Sequence, residues 1–466
     1  MLPKRVLDLG GSNPSIITLK ETCDGERGRY ICLSYCWGPK PFIKTTAENL
    51  EKHKERISIC DLPKTFKDAI EITRSLEVKY LWIDALCIIQ QTESDKAQGD
   101  GANADWNQEF SKMAEIYHNS YLTVASVWAN SVEDGCFSAP EHGKIAGGSM
   151  RMYQMKHFPT RASTVFALAD FPLLTRGWTY QERMLAPRVL YFVRQEILWE
   201  CLDGRTCQCG QVTYRPHEAD KSELHDQLVK TEFDPALQSD LKPTPRIWRY
   251  MVVQYSHLRL TYPSDRLPAF SGLAEGIRRT TRQHYLAGLW RDTLLPDLCW
   301  VRRSNEDQAG QWRAPSWSWA SVNGSIEYEK ELYARQLQPE SFKSHVEVLE
   351  AECSPKGDSL TGEITGGFIR LKGTVITAIP KGKRLSVDDW DLHWKPDGTH
   401  IVKNQELFII PLLTLWESLS ALVVQPSDTD QYQMVRIGLV RNLGRITGPP
   451  NRWFLSAGLE KEVYIV

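Results

Sequence analysis

At 466 residues the chain exceeds one ordinary domain core, which predicts two or three domains. It is 42% apolar and 24% charged, near the soluble globular average, so neither long disorder nor a fibrous repeat is expected. Lys plus Arg (56) almost balance Asp plus Glu (58), and a net charge of -2 offers no electrostatic footprint for nucleic acid or a membrane surface.

The opening stretch Met1-Leu2-Pro3-Lys4-Arg5 lacks the apolar run of a secretory signal, and no later segment approaches the ~18 apolar residues of a bilayer span. Tyr30 to Tyr35 reads as a buried strand closed by Gly38-Pro39. From Pro63 to Leu76 the residues Phe66, Ala69, Ile70, Thr73 and Leu76 form one helical stripe. There Pro63 suits the first turn, and Thr65 with Asp68 resembles a capping box. Tyr80 to Asp84 is an apolar run ending in a carboxylate. A polar loop with Gly99 and Gly101 leads to a helix over about 105–117 and a strand over 121–125. Strands alternating with amphipathic helices predict a parallel sheet covered on both faces.

Further on, Arg188 to Val193 and Glu196 to Cys201 read as a strand pair around Arg194-Gln195, and helices are expected over 247–258 and 266–279. From about Ser316 the pattern turns to β. Strand-like runs at 344–349, 367–379, 407–412, 420–425, 435–440 and 462–466, separated by Gly, Pro and Asp clusters, suggest a sandwich or barrel. The expected organisation is a lead-in (1–27), an α/β domain (28–185), a mixed region (186–315) and a β-rich domain (316–466).

Glu109 is the first candidate for chemistry. At ~100° per residue, Trp106, Phe110, Met113, Ile116 and Tyr117 span one helical arc, and Glu109 falls inside it. A carboxylate there needs an Arg, a Lys or backbone donors, or else stays protonated, with Arg176 or Arg183 as favoured partners; it is a structural ion pair, a residue at the arc's solvent edge or a functional acid. Asp84 and the segment Ser34-Tyr35-Cys36-Trp37 each end a strand. The carboxyl ends of parallel strands face the ligand crevice, so Tyr35, Trp37, Asp84, Cys87, Arg176, Trp178 and Gln181 are expected to border one cleft. Asp84 equally suits a cap on the following turn.

Eleven cysteines, an odd number in a long chain, read as reduced thiols of a cytoplasmic or nuclear protein. Cys201, Cys207 and Cys209 with His217 offer four soft metal donors in a spacing unlike a zinc knuckle, and free thiols are the default. No dinucleotide fingerprint, Walker sequence, His-Glu-x-x-His or Gly-x-Ser-x-Gly elbow is present. Sixteen tryptophans demand a large core, a lined pocket or both. Trp317 and Trp319 alternate as on one face of a strand, in a core seam or a pocket wall.

Three separated blocks resemble the fungal heterokaryon-incompatibility (HET) domain. They are Leu33-Ser34-Tyr35-Cys36-Trp37-Gly38 with Thr45-Thr46-x-x-Asn49-Leu50; Leu62 to Ile70 with Tyr80 to Gln90 and Asp105 to Tyr117; and Arg176-Gly177-Trp178-Thr179-Tyr180-Gln181-Glu182-Arg183. They cover about residues 28–183, and the segments Asp265 to Gly272 and Ala314 to Ala320 resemble the tails of longer relatives. The resemblance implies a cytoplasmic fungal protein with a Toll/interleukin-receptor-like or flavodoxin-like parallel sheet. It also implies a role in cell death on fusion of unlike strains, with Glu109 as an NAD-cleaving carboxylate. Gln91-Thr92 stands where the family often carries paired acids, and the loop over 93–104 is longer than usual.

Three functions are therefore expected in competition. One is a cofactor-independent cyclase or isomerase of secondary metabolism, acting on an apolar terpenoid- or polyene-like substrate. It is motivated by the altered acids, the aromatic content and the absence of the nucleotide-binding or repeat region with which incompatibility proteins often relay their signal. The second is an incompatibility factor that hydrolyses NAD, and the third a non-catalytic recognition module. The expected catalytic residues are Glu109, Asp84, Tyr35, Arg176 and Gln181. Trp37, Cys87, Tyr117, Trp178, Glu182, Trp317 and Trp319 are expected to bind substrate. No cofactor, metal or nucleic-acid partner is expected, NAD entering only as a substrate in the second case.

Overall fold

Ten strands of the N-terminal half form one sheet whose centre is Tyr30–Ser34, buried at every position. In chain order the elements begin β1 (Arg5–Asp8), β2 (Ile16–Glu21), β3 (Tyr30–Ser34), α1 (Leu50–Glu55), β4 (Ile57–Ser58), α2 (Lys64–Ser75), β5 (Tyr80–Trp82), α3 (Asp84–Cys87) and α4 (Ala104–His118). They continue with β6 (Leu122–Ser126), the small pair β7 (Gly143–Lys144) and β8 (Arg151–Met152), α5 (Gly177–Leu185), β9 (Arg188–Phe192), β10 (Ile197–Cys201), β11 (Gly204–Cys207) and β12 (Thr213–Tyr214).

The computed structural model describes residues 1–91, 104–138, 143–144, 151–152, 171–194, 196–210, 213–214, 245–303, 310–329, 332, 342–381, 384–387, 390–398, 406–415, 418–430, 432–441 and 458–466. Gly99, Gly101, Gln195 and His217 lie outside them, as do the side chains of Trp106 and Phe110. Two units are present, Met1–Leu237 and Gln238–Val466.

The sheet of the first unit has the order β12-β11-β10-β9-β6-β3-β5-β1-β2-β4. Only β5-β3-β6-β9 run parallel; the flanks are antiparallel, so the sheet is mixed rather than wholly parallel. Loop length decides this. The short connections β9–β10 and β10–β11 permit only antiparallel hairpins, whereas the long helical segments after β3 and β5 permit crossovers. In α2, Phe66, Ala69, Ile70 and Thr73 are buried as expected, but Leu76 sits beyond the helix end at 44% exposure. The expected capping box is absent: Pro63 is the N-cap and no side chain caps the helix. Thr65 and Asp68 instead accept the backbone N–H groups of Gly135 and Cys136, pinning a neighbouring loop.

The second unit starts with α6 (Pro245–Ser256) and α7 (Ser271–Thr281), followed by the short hairpin β13 (Tyr285–Leu286) with β14 (Leu289–Trp290). β15 (Val301–Arg302) pairs with β16 (Ile326–Glu327). Its core is aromatic: Tyr255 stacks on Phe270 at 4.6 Å, and Trp248 and Trp319 both donate to the Gly288 carbonyl at 2.9 Å. Gly288 has φ +98°, and a Cβ there would stand 2.4 Å from the Trp319 indole nitrogen, so only glycine fits. Contrary to expectation, Trp317 and Trp319 are not on a strand; Trp319 opens a 3-10 turn after Ser318, and both indoles are fully buried.

Sheet structure resumes at β17 (Phe342–Ser344), close to the first expected strand-like run at 344–349. It continues through β18 (Val346–Pro355), β19 (Ile364–Lys381), β20 (Arg384–Val387), β21 (Trp390–Pro396), β22 (Leu407–Leu415), β23 (Ser418–Pro426), β24 (Gln433–Val440) and β25 (Leu459–Ile465). Pairings β19-β20-β21-β24-β23-β22 return to β19, closing a six-stranded barrel. Closure removes the exposed edges that six long apolar strands would otherwise present. Ile376, Leu385, Leu392, Ile409, Leu419 and Val423 belong to the buried cluster that it packs around. Among the described residues no helix is long and apolar enough to cross a membrane.

Candidate functional site at the carboxyl ends of the parallel strands

From β3 the chain crosses to β5 on one side and then to β6 on the other. Such a reversal opens a crevice at the carboxyl end of the central strand. Ser34 ends β3, and Tyr35, Cys36 and Trp37 follow it into that region. Gly38 allows the chain to turn, with φ +76° and no room for a Cβ, which would lie 2.5 Å from Ser131 Cβ. Asp84 opens α3 just beyond β5. Arg176 is the N-cap residue of α5, whose buried side carries Gln181 and Glu182.

Much of the motif builds this frame. The Thr45 hydroxyl donates to the Leu86 carbonyl at 2.7 Å, and Thr45 N–H donates to the Ala85 carbonyl at 2.9 Å. Asn49 closes the same loop by accepting from Thr46 N–H and donating to the Lys44 carbonyl. Gln90 donates to the backbone carbonyl of Asp84 at 3.2 Å. Together these bonds hold α3, and therefore Asp84, beside the end of β3.

Asp84 receives three donors: Tyr35 Oη at 2.7 Å and Ala85 N–H at 2.7 Å on Oδ1, and Trp37 Nε1 at 3.1 Å on Oδ2. It therefore both opens the next turn and organises two aromatic side chains. Glu182 accepts the Ser34 hydroxyl on Oε2 and faces the Tyr117 hydroxyl, which also reaches the Leu33 carbonyl at 3.4 Å. Arg176 lies against the Cys36 thiol, its positive charge felt by Asp84 and Glu182. Glu182, Tyr35, Cys36 and Gln181 are buried, whereas Trp37, Asp84, Arg176 and Trp178 are partly exposed. Lys44 Nζ stands 4.1 Å above the Trp37 ring, and Phe42 meets that ring edge-on at 5.6 Å.

Electrostatics separates the two acids. Burial pushes Glu182 up to about 7, with the nearby Asp84 charge adding to the rise and Ser34 and Arg176 opposing it. Asp84 is raised by burial too, but its three donors and Arg176 pull the other way. A carboxyl group titrating near neutrality beside one held by three donors is the pattern of an acid–base pair. Burial lifts the Cys36 thiol to about 11 and the Cys87 thiol to about 12, favouring the protonated forms.

Other expected residues lie elsewhere or play different parts. Glu109 is buried, at 1% exposure, but its ion pair is with Lys112 at 3.7 Å rather than with Arg176 or Arg183. Arg183 pairs with Glu200, beside Arg205 and Tyr191. Glu109 precedes Tyr117 by eight residues of α4, ~12 Å along the axis. Cys87 is buried behind Asp84, and its carbonyl accepts Arg5 Nε at 2.8 Å. Trp317 and Trp319 belong to the core of the second unit, where Trp312, Trp394 and Arg313, not they, line a cleft of about 620 Å³. Sequence reasoning gave Ser34 no role and placed Glu182 only among substrate contacts. The available signal was an acid on α5, a short helix with seven of its nine residues buried.

Residues 30–182 match the family model described as heterokaryon incompatibility protein (HET), so the resemblance carried by the three blocks holds over that segment. No curated protein and no solved structure matches the chain.

Proposed function

We propose that the HET segment is a hydrolase acting on the N-glycosidic bond of a nicotinamide dinucleotide. The observation that carries this reading is the position of Glu182, buried and accepting the Ser34 hydroxyl at the end of the central parallel strand, with Asp84 and Arg176 close enough for their charges to act on it. The order β5-β3-β6-β9, numbered by chain order as 2-1-3-4, supports a flavodoxin-like or Toll/interleukin-receptor-like nucleotide crevice. Trp37 offers a partly exposed ring on which a base can stack, and Arg176 a guanidinium for the diphosphate. As the C1′–N bond breaks, nicotinamide departs neutral with the bonding pair, and the ribosyl cation is stabilised by the carboxylates. Water adds to C1′, and ionised Glu182 takes its proton. The products are ADP-ribose, nicotinamide and one proton.

Glu182, not Glu109, is the acid–base residue in this scheme. The test is nicotinamide release from NAD by the purified chain and by Glu182→Gln, Asp84→Asn and Glu109→Gln. Release by the wild type and Glu109→Gln, with loss in Glu182→Gln, supports the scheme; equal loss in Glu109→Gln alone transfers the role to α4.

A second reading is favoured by the aromatic rim formed by Trp37 and Phe42. It is a cofactor-independent cyclase or isomerase holding an apolar polyene or terpenoid in a reactive fold. Turnover of such a substrate at a rate flat across pH 6 to 8, without nicotinamide release, selects it. Ligand binding with no turnover of either kind selects a recognition module.

A further inference from the structure

We propose that Glu196, Cys207 and Cys209 form a binding site for zinc or a similarly thiophilic divalent cation at the open end of the β10–β11 hairpin. Register brings them together. Leu198 pairs with Cys207, and the next bond, Gln208 N–H to the Ile197 carbonyl, continues the same ladder. The ladder therefore sets Glu196 opposite Cys209. Period two along the strand places Cys207 and Cys209 on one face, the face that Leu198 and Glu196 share. The outcome is a set of one carboxylate oxygen and two sulfurs, all within 4.8 Å of one another. The two sulfurs are 3.1 Å apart, and Cys209 N–H donates to Glu196 Oε2 at 3.4 Å, orienting the acid.

Two thiolates and a carboxylate suit zinc in a tetrahedral site with the fourth position left to water. Cys207 and Glu196 are each 5% exposed and Cys209 is half-buried, so the cation would be held in a partly dry pocket at the rim of an apolar cluster. Cys201 does not take part: it pairs with Gly204 at the opposite end of the hairpin. Binding is acid–base chemistry alone. Each thiol gives up its proton to solvent as its sulfur bonds the metal, and no electron is transferred.

The test uses the full chain, reduced, stripped with chelator and titrated with Co²⁺ and then Zn²⁺. One equivalent of Co²⁺ should release up to two protons and give thiolate-to-cobalt charge-transfer absorption, which Zn²⁺ then abolishes by displacing the cobalt without further proton release. Changes outside the ligand set typically cost 10–100-fold in affinity, so Cys207→Ser or Cys209→Ser should weaken binding by about 100-fold or more. Cys201→Ser should leave it unchanged. In unmutated protein, Zn²⁺ should protect Cys207 and Cys209 from alkylation while the exposed Cys23 and Cys60 stay reactive. Absence of the charge-transfer band, retention of it in the Cys207→Ser/Cys209→Ser double variant, or recovery of a Cys207–Cys209 disulfide without metal uptake would overturn the proposal.

Discussion

Tyr35 donates its phenolic proton to Asp84 Oδ1 at 2.7 Å, tying together the ends of β3 and β5 from positions 49 residues apart in sequence. The bond also orients the Tyr35 ring, which meets Phe66 of α2 edge-on at 5.1 Å. Tyr35→Phe keeps the ring and removes one of the three donors on Asp84. Losing a hydrogen bond to a charged group costs up to about 1–3 kcal/mol, at the lower end where the group is partly exposed, so thermal unfolding should begin at a lower temperature. A melting curve superimposable on that of the parent chain would show the hydroxyl to be idle.

Glu182 makes stability depend on pH with a definite sign. Its folded-state value of about 7 lies above its ordinary 4.5, so between those values the folded chain binds more protons than the unfolded one. Its contribution is therefore fully present below pH 4.5 and is lost as pH rises through 7. The shift corresponds to about 3 kcal/mol at most, and Glu182→Gln should abolish that dependence. Denaturant melts at pH 5 and pH 8 measure it: relative to the parent, the variant should gain stability at pH 8. An equal difference at both values would mean that Glu182 titrates normally.

Glu109 calls for a different experiment. Its partner Lys112 is 47% exposed and 3.7 Å away, and Glu109 Oε1 is buried without a hydrogen bond. An exposed partner contributes little, under about 1 kcal/mol, so Lys112→Ala should be nearly silent. Replacing a poorly compensated buried acid by an apolar residue of similar length is neutral or stabilising, so Glu109→Met should melt no lower than the parent. A fall of several degrees would reveal a partner for the acid on α4 and reopen its case as a functional group.

Arg436 on β24 anchors the barrel to the aromatic part of its own unit. It donates to Asp397 Oδ2 at 2.7 Å and to the carbonyls of Leu298 and Trp300 at 2.7 and 2.6 Å, with its guanidinium 3.5 Å from the Trp300 ring centroid. Arg436→Met leaves Asp397 buried opposite no strong donor from β24. Breaking such a pair costs about 3–5 kcal/mol. Protease resistance of the C-terminal unit should fall sharply, and a digestion pattern unchanged from the parent would contradict the anchoring role.

The sequence by itself determined where the elements lie and which segment carries the HET blocks. Alternating strands and helices from Tyr30 to Ser126, the hairpin at Arg188–Cys201 and the apolar runs of the barrel are all local patterns of period two or 3.6. It also marked Tyr35, Trp37, Asp84 and Arg176 as residues at strand ends and helix starts, because such positions are visible in a single chain. Tertiary structure alone decided what each buried acid is folded against. Glu109 and Glu182 both lie on buried helix faces, but only Glu182 is brought against Ser34 and Asp84, and proton affinity depends on neighbours that are distant in sequence. The thiol pair obeys the same rule. Cys201, Cys207 and Cys209 look equivalent in sequence, and only the register of β10 against β11 exchanges Cys201 for Glu196. Trp317 and Trp319 mimic strand alternation, yet Trp319 opens a 3-10 turn in which its indole donates to the Gly288 carbonyl and meets Phe270 edge-on. Periodicity is a property of the chain; pairing, burial and charge are properties of what the chain is folded against.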